Sequence, residues 1–202
     1  MRITVTAFDA FGGLSFNSSE AMLRELAWIR DGIAPAELET LVLPTSYRMV
    51  NEPLRALLRP SPPNVLLMTG MAMGVEAVHV ETVARNLDAC AAPDNTGDVR
   101  LNRPIRADGP DYYLATIDAR AVCRALTAAG ISAVLSSDAG GFVCNHAFYL
   151  ARDQIAQGRL TTQCGFLHLP GPDNWSAASL LSAVRISVEL IIQTARKAPE
   201  DS

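Results

Sequence analysis

With 202 residues, 49% of them hydrophobic, the chain is long enough to bury one substantial core and too short to need several modules. A formal charge of −4 provides no broad basic surface for neutralising phosphates, which argues against nucleic acid as a partner. The longest apolar runs, Val65 to Met68 and Leu180 to Ile192 with its interspersed Ser, Arg and Glu, fall short of an uninterrupted membrane span, and Met1 to Ala7 reads as a strand rather than a leader, so a soluble cytoplasmic protein with no membrane partner is expected.

The first predicted strand is Ile3–Ala7. A helix follows from Ser18 or Ser19, whose hydroxyls suit an N-cap, through Ala21, Leu23, Leu26, Ala27 and Ile29 to a stop at Asp31-Gly32. Strand Leu38–Leu43, a helix from about Val50 to Leu58, and strands Asn64–Thr69 and Val75–Glu81 come next. Between Asn86 and Tyr113 the pattern dissolves into Pro93, Asn95, Gly97, Pro104, Gly109 and Pro110, a stretch so long and turn-rich that it is read as functional or interfacial.

Periodicity returns with a helix capped by Asp118, carrying Ala121, Val122, Ala125 and Leu126 on one face and ending at Gly130. Strand Ile131–Ser136, a glycine turn, a helix beginning close to Cys144, strand Gln163–Leu167, and a last helix from near Ser176 complete the order. That last helix holds Leu180, Leu181, Val184, Val188 and Ile191 at helical spacing, and the polar tail Lys197 to Ser202 is expected to fray. Strands and helices that alternate in this way specify an α/β fold whose sheet is covered on both faces. The expected architecture is a three-layer α/β/α sandwich around a central twisted mixed sheet, as a single domain over residues 1–202.

Four scattered cysteines, Cys90, Cys123, Cys144 and Cys164, form no disulfide framework and no CxxC pair, so each is first read as a small buried hydrophobe. Cys144 has a further reading. It follows a strand and the pair Gly140-Gly141 and stands near a helix N-terminus, where the macrodipole and nearby N–H groups favour a thiolate and can hold an oxyanion. A thiolate nucleophile needs a base, and the chain offers three histidines. His146 is two residues along the same helix and points to another face, so it is read as a cap or packing residue. His168 stands at the carboxyl end of a strand, where ligands of open α/β sheets gather, and is preferred; His79, in a strand, is read as a surface or supporting residue. Glu81, Glu76, Asp94 and Asp138 all remain open as the carboxylate that would orient the imidazole.

These residues lie within motifs that resemble the pyroglutamyl peptidase I (pyrrolidone-carboxylate peptidase) family of cysteine exopeptidases, in order and nearly end to end. Thr6-Ala7-Phe8-Asp9-Ala10-Phe11-Gly12-Gly13 with Asn17-Ser18-Ser19 is similar to its GF(E/D)PFGG…NPS signature, and Gly70-Met71-Ala72-Met73-Gly74 with Glu81-Thr82-Val83-Ala84-Arg85-Asn86 to its GxAGG…ERVAxN segment. Pro93-Asp94-Asn95-Thr96-Gly97 and Pro104-Ile105 through Asp108-Gly109-Pro110 resemble its PDNxG and EPIxxDGP stretches. Ala139-Gly140 and Phe142-Val143-Cys144-Asn145-His146 resemble the AGT(Y/F)VCNH block around its nucleophile.

The resemblance implies Cys144 as nucleophile, His168 as general base and acid, and Glu81 as the residue that orients His168. It implies a substrate site for an N-terminal pyroglutamyl peptide made by Phe8, Phe11, Asn17, backbone groups near Met71, and Phe142 and Val143 beside the nucleophile. It implies no cofactor or metal, and a homo-oligomer, dimer or tetramer. The chain departs from the pattern where Ala10 and Ser18 replace prolines, where Ala91 and Val75 stand in place of arginines, and at Ser137-Asp138 and Gly141. One lost donor beside an oxyanion is worth roughly 3 kcal/mol, so a weakened relative that binds modified N-termini, or one of shifted specificity, is the alternative. A metal hydrolase using Cys144, His146 and His168 is a third reading, although the chain has no HExxH or paired ligand spacing.

Overall fold

The computed structural model describes residues 1–28, 37–173 and 175–195. In chain order its elements are β1 (Arg2–Phe8), α1 (Ser18–Trp28), β2 (Glu37–Leu43), α2 (Asn51–Leu57), β3 (Val65–Ala72), β4 (Val78–Glu81), β5 (Val83–Arg85), β6 (Asp88–Cys90), β7 (Arg100–Arg103), β8 (Tyr112–Leu114), α3 (Ala119–Ala128), β9 (Ala133–Ser136), α4 (Val143–Gln157), β10 (Gln163–Pro170) and α5 (Ala177–Ala195). Six strands form one mixed sheet in the order β2-β1-β3-β10-β4-β9. The first four of these run parallel, β4 is antiparallel to β10, and β9 is parallel to β4. β1, β3 and β10 are buried along nearly their whole length, which is why they read as unbroken apolar runs rather than as alternating ones.

Strand alternation sends neighbouring side chains to opposite faces. Val65 and Leu67 of β3 join Leu26, Leu126 and Val184 in an aliphatic core beneath α1, α3 and α5, whereas Leu66 and Met68 join Leu54, Phe148 and Ile155 beneath α2 and α4. The three layers expected from the sequence are present. α5 is long and apolar enough to cross a membrane by length and composition, contrary to the first reading. It instead buries Leu180, Ala183, Val184, Val188 and Ile191 against the sheet.

Local signals held where side chains cap their own helix. The Asp118 carboxylate accepts from Ala121 N–H (2.9 Å), and Gly130, at φ +77°, ends the α3 segment as predicted. At α1 the cap is Asn17 rather than a serine, because its Oδ1 accepts from the N–H (3.0 Å) and hydroxyl (2.8 Å) of Ser19. The Ser18 hydroxyl is drawn instead to Pro170 O (3.2 Å). Ile29, the stop at Asp31-Gly32 and the tail 197–202 lie outside the described residues.

Tertiary pairing shifted other boundaries. β3 and β10 extend each other to Ala72 and Pro170, so Gly70 and His168, which pair directly, are strand residues. β4 begins at Val78 and β9 at Ala133, each later than expected. The turn-rich segment holds one short antiparallel ribbon, β6 with β7, and is bracketed by another, β5 with β8, and these few residues carry no readable alternation. Asn86 braces it by donating from Nδ2 to Arg106 O (2.8 Å) and accepting from Arg106 N–H (2.9 Å).

Candidate active site

Cys144 is the second residue of α4 and is half-buried. The turn before it is tight for a stated reason: a Cβ on Gly141 would lie 2.6 Å from Ala89 O, and Gly140 has φ +78°. The threonine usual in the related motif has no room at Gly141. Gly141 O accepts from Ala89 N–H (2.9 Å) and from the Tyr47 hydroxyl (3.3 Å), which pins the turn. Beneath the cysteine lies Gly70, where a Cβ would sit 2.8 Å from Sγ and 3.0 Å from Cζ of Phe166. The glycine makes the space that the sulfur occupies.

In the antiparallel pair β10 and β4, Phe166 faces Glu81 and His168 faces His79. Glu81 is therefore the diagonal neighbour of His168 on the same face, close enough for long side chains to meet. Its Oε1 lies 2.8 Å from Nδ1 of His168, and both residues are buried. Cys144 also acts on the imidazole, raising its pKa together with Glu81. With Nδ1 turned to Glu81, Nε2 is the nitrogen left for the sulfur. Burial pushes the His168 pKa down, but the hydrogen bonds and charges of Cys144 and Glu81 outweigh it and raise it to about 9. The direction of the shift favours the protonated ring beside the sulfur. Among the described residues, the buried Oε2 of Glu81 has no hydrogen-bond partner, so none of them diverts the carboxylate from His168.

A cavity of about 280 Å³ opens beside these groups. Phe8, Phe11, Asn17, Met71 and Phe142 line it together with Cys144, His168 and Glu81. Phe11 and Phe142 face one another at 5.8 Å between ring centroids. Phe8 is a core residue that also reaches the cavity wall, 1% exposed and 6.4 Å from the Phe166 ring. Asn17 carries its capping duty at the same time and donates from Nδ2 to Asp9 O (2.9 Å). The Val143 side chain is fully buried in the core under α4 and does not line the cavity, because this position in the first turn faces the sheet.

The rival carboxylates go elsewhere. Glu76 is exposed, Asp138 stands at the cavity rim paired with Arg85, and Asp94 organises the turn that follows it. Burial pushes the Asp94 carboxyl up, but hydrogen bonds from the Thr96 hydroxyl and the N–H groups of Asp98, Tyr47 and Thr96 prevail and hold it at about 2. Asn95 beside it donates to Ala10 O (2.8 Å), so the turn-rich segment supports the loop that carries Phe11.

His146 is buried with Nδ1 2.9 and 3.0 Å from the two Asp88 oxygens, in a separate network with Arg100. Cys144, His146 and His168 do not converge, and among the described residues no three His, Cys, Asp or Glu form a metal-holding group. Burial pushes the Cys164 thiol up to about 12, leaving it inert.

The sequence reading missed Thr45, Ala72 and Gly140 in the lining, and it placed His79 too far out: His79 lines the cavity opposite His168. Thr45 had one signal, its place just past the carboxyl end of β2. Of the two positions where the motif has arginine, Val75 lines the cavity and Ala91 is exposed outside it.

The pyroglutamyl peptidase family model matches residues 1–200. The chain is 36% identical over 203 residues to a pyrrolidone-carboxylate peptidase of Thermococcus onnurineus, covering 98% of this chain and 100% of that one. It is 32% identical to pyrrolidone-carboxylate peptidase 1 of Caldanaerobacter subterraneus, covering 96% and 98%. Among solved structures, a mutant pyrrolidone carboxyl peptidase of Pyrococcus furiosus superposes with a TM-score of 0.90 at 28% identity, over 96% of this chain and 99% of that one. Pyroglutamyl peptidase I of Bacillus amyloliquefaciens gives 0.87 at 28% identity, over 93% and 95%. Full-length matches in sequence and fold, with Cys144, His168 and Glu81 gathered at one cavity, lead to one conclusion: the chain belongs to the pyroglutamyl peptidase family.

Proposed function

We propose that this protein is a cysteine exopeptidase that hydrolyses the bond after an N-terminal pyroglutamyl residue. The observation that carries the reading is the buried line from Glu81 through His168 to Cys144 along the wall of a small, largely apolar cavity. A protonated His168 beside Sγ supports a thiolate that attacks the pyroglutamyl carbonyl. The imidazolium then protonates the leaving amine, and the neutral ring activates the water that hydrolyses the thioester. Glu81 holds the imidazole in orientation and stabilises its charge.

The lactam is flat and neutral, which suits walls made by Phe8, Phe11, Met71 and Phe142 with few polar groups. Asn17 retains one Nδ2 hydrogen for the ring after its bond to Asp9. The names of its relatives agree with this substrate. A cytoplasmic setting suits a reactive thiol among four free cysteines. Assembly into a dimer or tetramer would cover exposed apolar side chains such as Tyr112, Leu114, Val134 and Leu135.

The test is a fluorogenic pyroglutamyl amide. Steady turnover is expected, with loss in Cys144→Ala and after alkylation by iodoacetamide, while replacement of Cys90, Cys123 or Cys164 leaves it in place. Binding without turnover would favour the weakened-relative reading, and turnover surviving in Cys144→Ala would overturn the mechanism.

A further inference from the structure

The strand order gives the cavity two distinct flanks. On the β1 and β2 side stand Phe8, Phe11, Asn17 and Thr45; Met71 and His168 lie in the middle on β3 and β10; His79 of β4 and Asp138, just after β9, close the far side. With the lactam ring on the aromatic flank and its carbonyl carbon at Cys144, the departing peptide runs toward the flank of His79 and Asp138.

Two opposite charges stand at that flank, Asp138 in the cavity wall and Arg85 paired with it outside the lining. Oδ1 of Asp138 accepts from the Gly140 N–H (2.9 Å) and from Nη2 of Arg85. Arg85 is anchored through its main chain, because Asn145, next to Cys144, accepts from its N–H (2.9 Å) and donates to its carbonyl (3.0 Å). Each charge is therefore held relative to the nucleophile, one through the glycine turn and the other through α4. The Asp138 side chain is 60% exposed and that of Arg85 38%, so the pair contributes little to stability. Its effect is on the local potential that a substrate side chain meets.

We propose that Arg85 and Asp138 are a specificity-determining couple for the residue that follows pyroglutamate. Paired, they keep the leaving-group flank neutral, so peptides with cationic, neutral and anionic second residues are accepted alike. This rests on the substrate reading given above.

The test compares kcat/KM for three otherwise identical pyroglutamyl peptides with Lys, Ala or Glu in second place, in wild type, Asp138→Asn, Arg85→Gln and the double variant. Asn keeps an oxygen for the Gly140 N–H, so the glycine turn retains its bond. The Lys-to-Glu ratio should be near one in wild type. It should fall about fivefold in Asp138→Asn, where the guanidinium is left unopposed, and rise about fivefold in Arg85→Gln. The double variant should return toward one, and both shifts should shrink in concentrated salt. A disturbance of the loop alone would lower all three rates together and leave the ratio unmoved. Ratios that stay fixed, or that move the same way in both single variants, overturn the couple while leaving the peptidase reading intact. No turnover of any pyroglutamyl peptide by wild type would overturn both.

Discussion

The two faces of the sheet are built from different materials. Beneath α1, α3 and α5 the fully buried core side chains among the described residues are aliphatic or Met22, with Ile3, Val5, Leu67, Leu126 and Val184 among them, and Trp175 packs at their edge. Beneath α2 and α4 lie Phe8, Tyr47, Phe148, Tyr149 and Phe166, threaded with buried polar groups. There Asp88 binds His146 and Arg100, Asn145 ties down Arg85 and Leu87, and Asp153 receives Arg106 and Tyr113. Burial makes each of these bonds costly to break, so the site face is a set of interlocked positions, whereas the aliphatic face needs only volume and shape. Among the described residues, two buried side-chain atoms of this face have no hydrogen-bond partner, Nε of Arg85 and Oε2 of Glu81, the latter next to the imidazole.

The contrast is sharpest at Glu81. Glu81→Gln keeps the shape but removes the charge that holds His168 protonated and oriented, so kcat should fall by about 10²–10⁴ in the pyroglutamyl assay with little change in fold by circular dichroism. A variant of near wild-type rate would dissolve the distinction between the faces.

On the aliphatic side, Leu126→Ala should cost about 2–5 kcal/mol in denaturant unfolding and leave kcat unchanged where the protein stays folded. A drop in kcat at constant folded fraction would show that the layers are coupled.

Gly70→Ala tests the space under the sulfur. Its methyl group would push Sγ and the Phe166 ring, so kcat should drop about 10- to 100-fold, since small misplacements of a reacting atom are expensive. An alanine variant of full activity would mean the sulfur is free to work elsewhere.

The smallest effect is in pH. The folded pKa of His168, about 9, exceeds its ordinary 6.5, so its contribution to stability is complete below 6.5 and is lost as pH rises through about 9. The unfolding midpoint should therefore decline on the alkaline side, and kcat/KM should fall over the same range. Cys144→Ala, by removing one partner of the ring, should flatten the stability decline; an unchanged slope would place its origin elsewhere.

The helices and the strands of the main sheet were legible in order because periodicity and caps are local: Asp118 and Gly130 bracket the α3 segment, and the apolar runs of β1, β3 and β10 follow from burial on both faces. Cys144 and His168 could be singled out for the same reason, each standing near the end of an element. The choice of Glu81 over Glu76, Asp94 and Asp138 was different. Residue chemistry left all four open, family resemblance favoured one, and the register of β4 against β10 set its carboxylate on Nδ1. That register also brought His79 into the cavity, while helix rotation buried Val143 and the Asn17 side chain took the cap expected of serine. Local pattern depends on a residue and its near neighbours along the chain, so sequence determined the elements. Which side chains meet depends on strand pairing and helix rotation between segments far apart in the chain, such as the 87 positions that separate Glu81 from His168, and only the tertiary structure decided it.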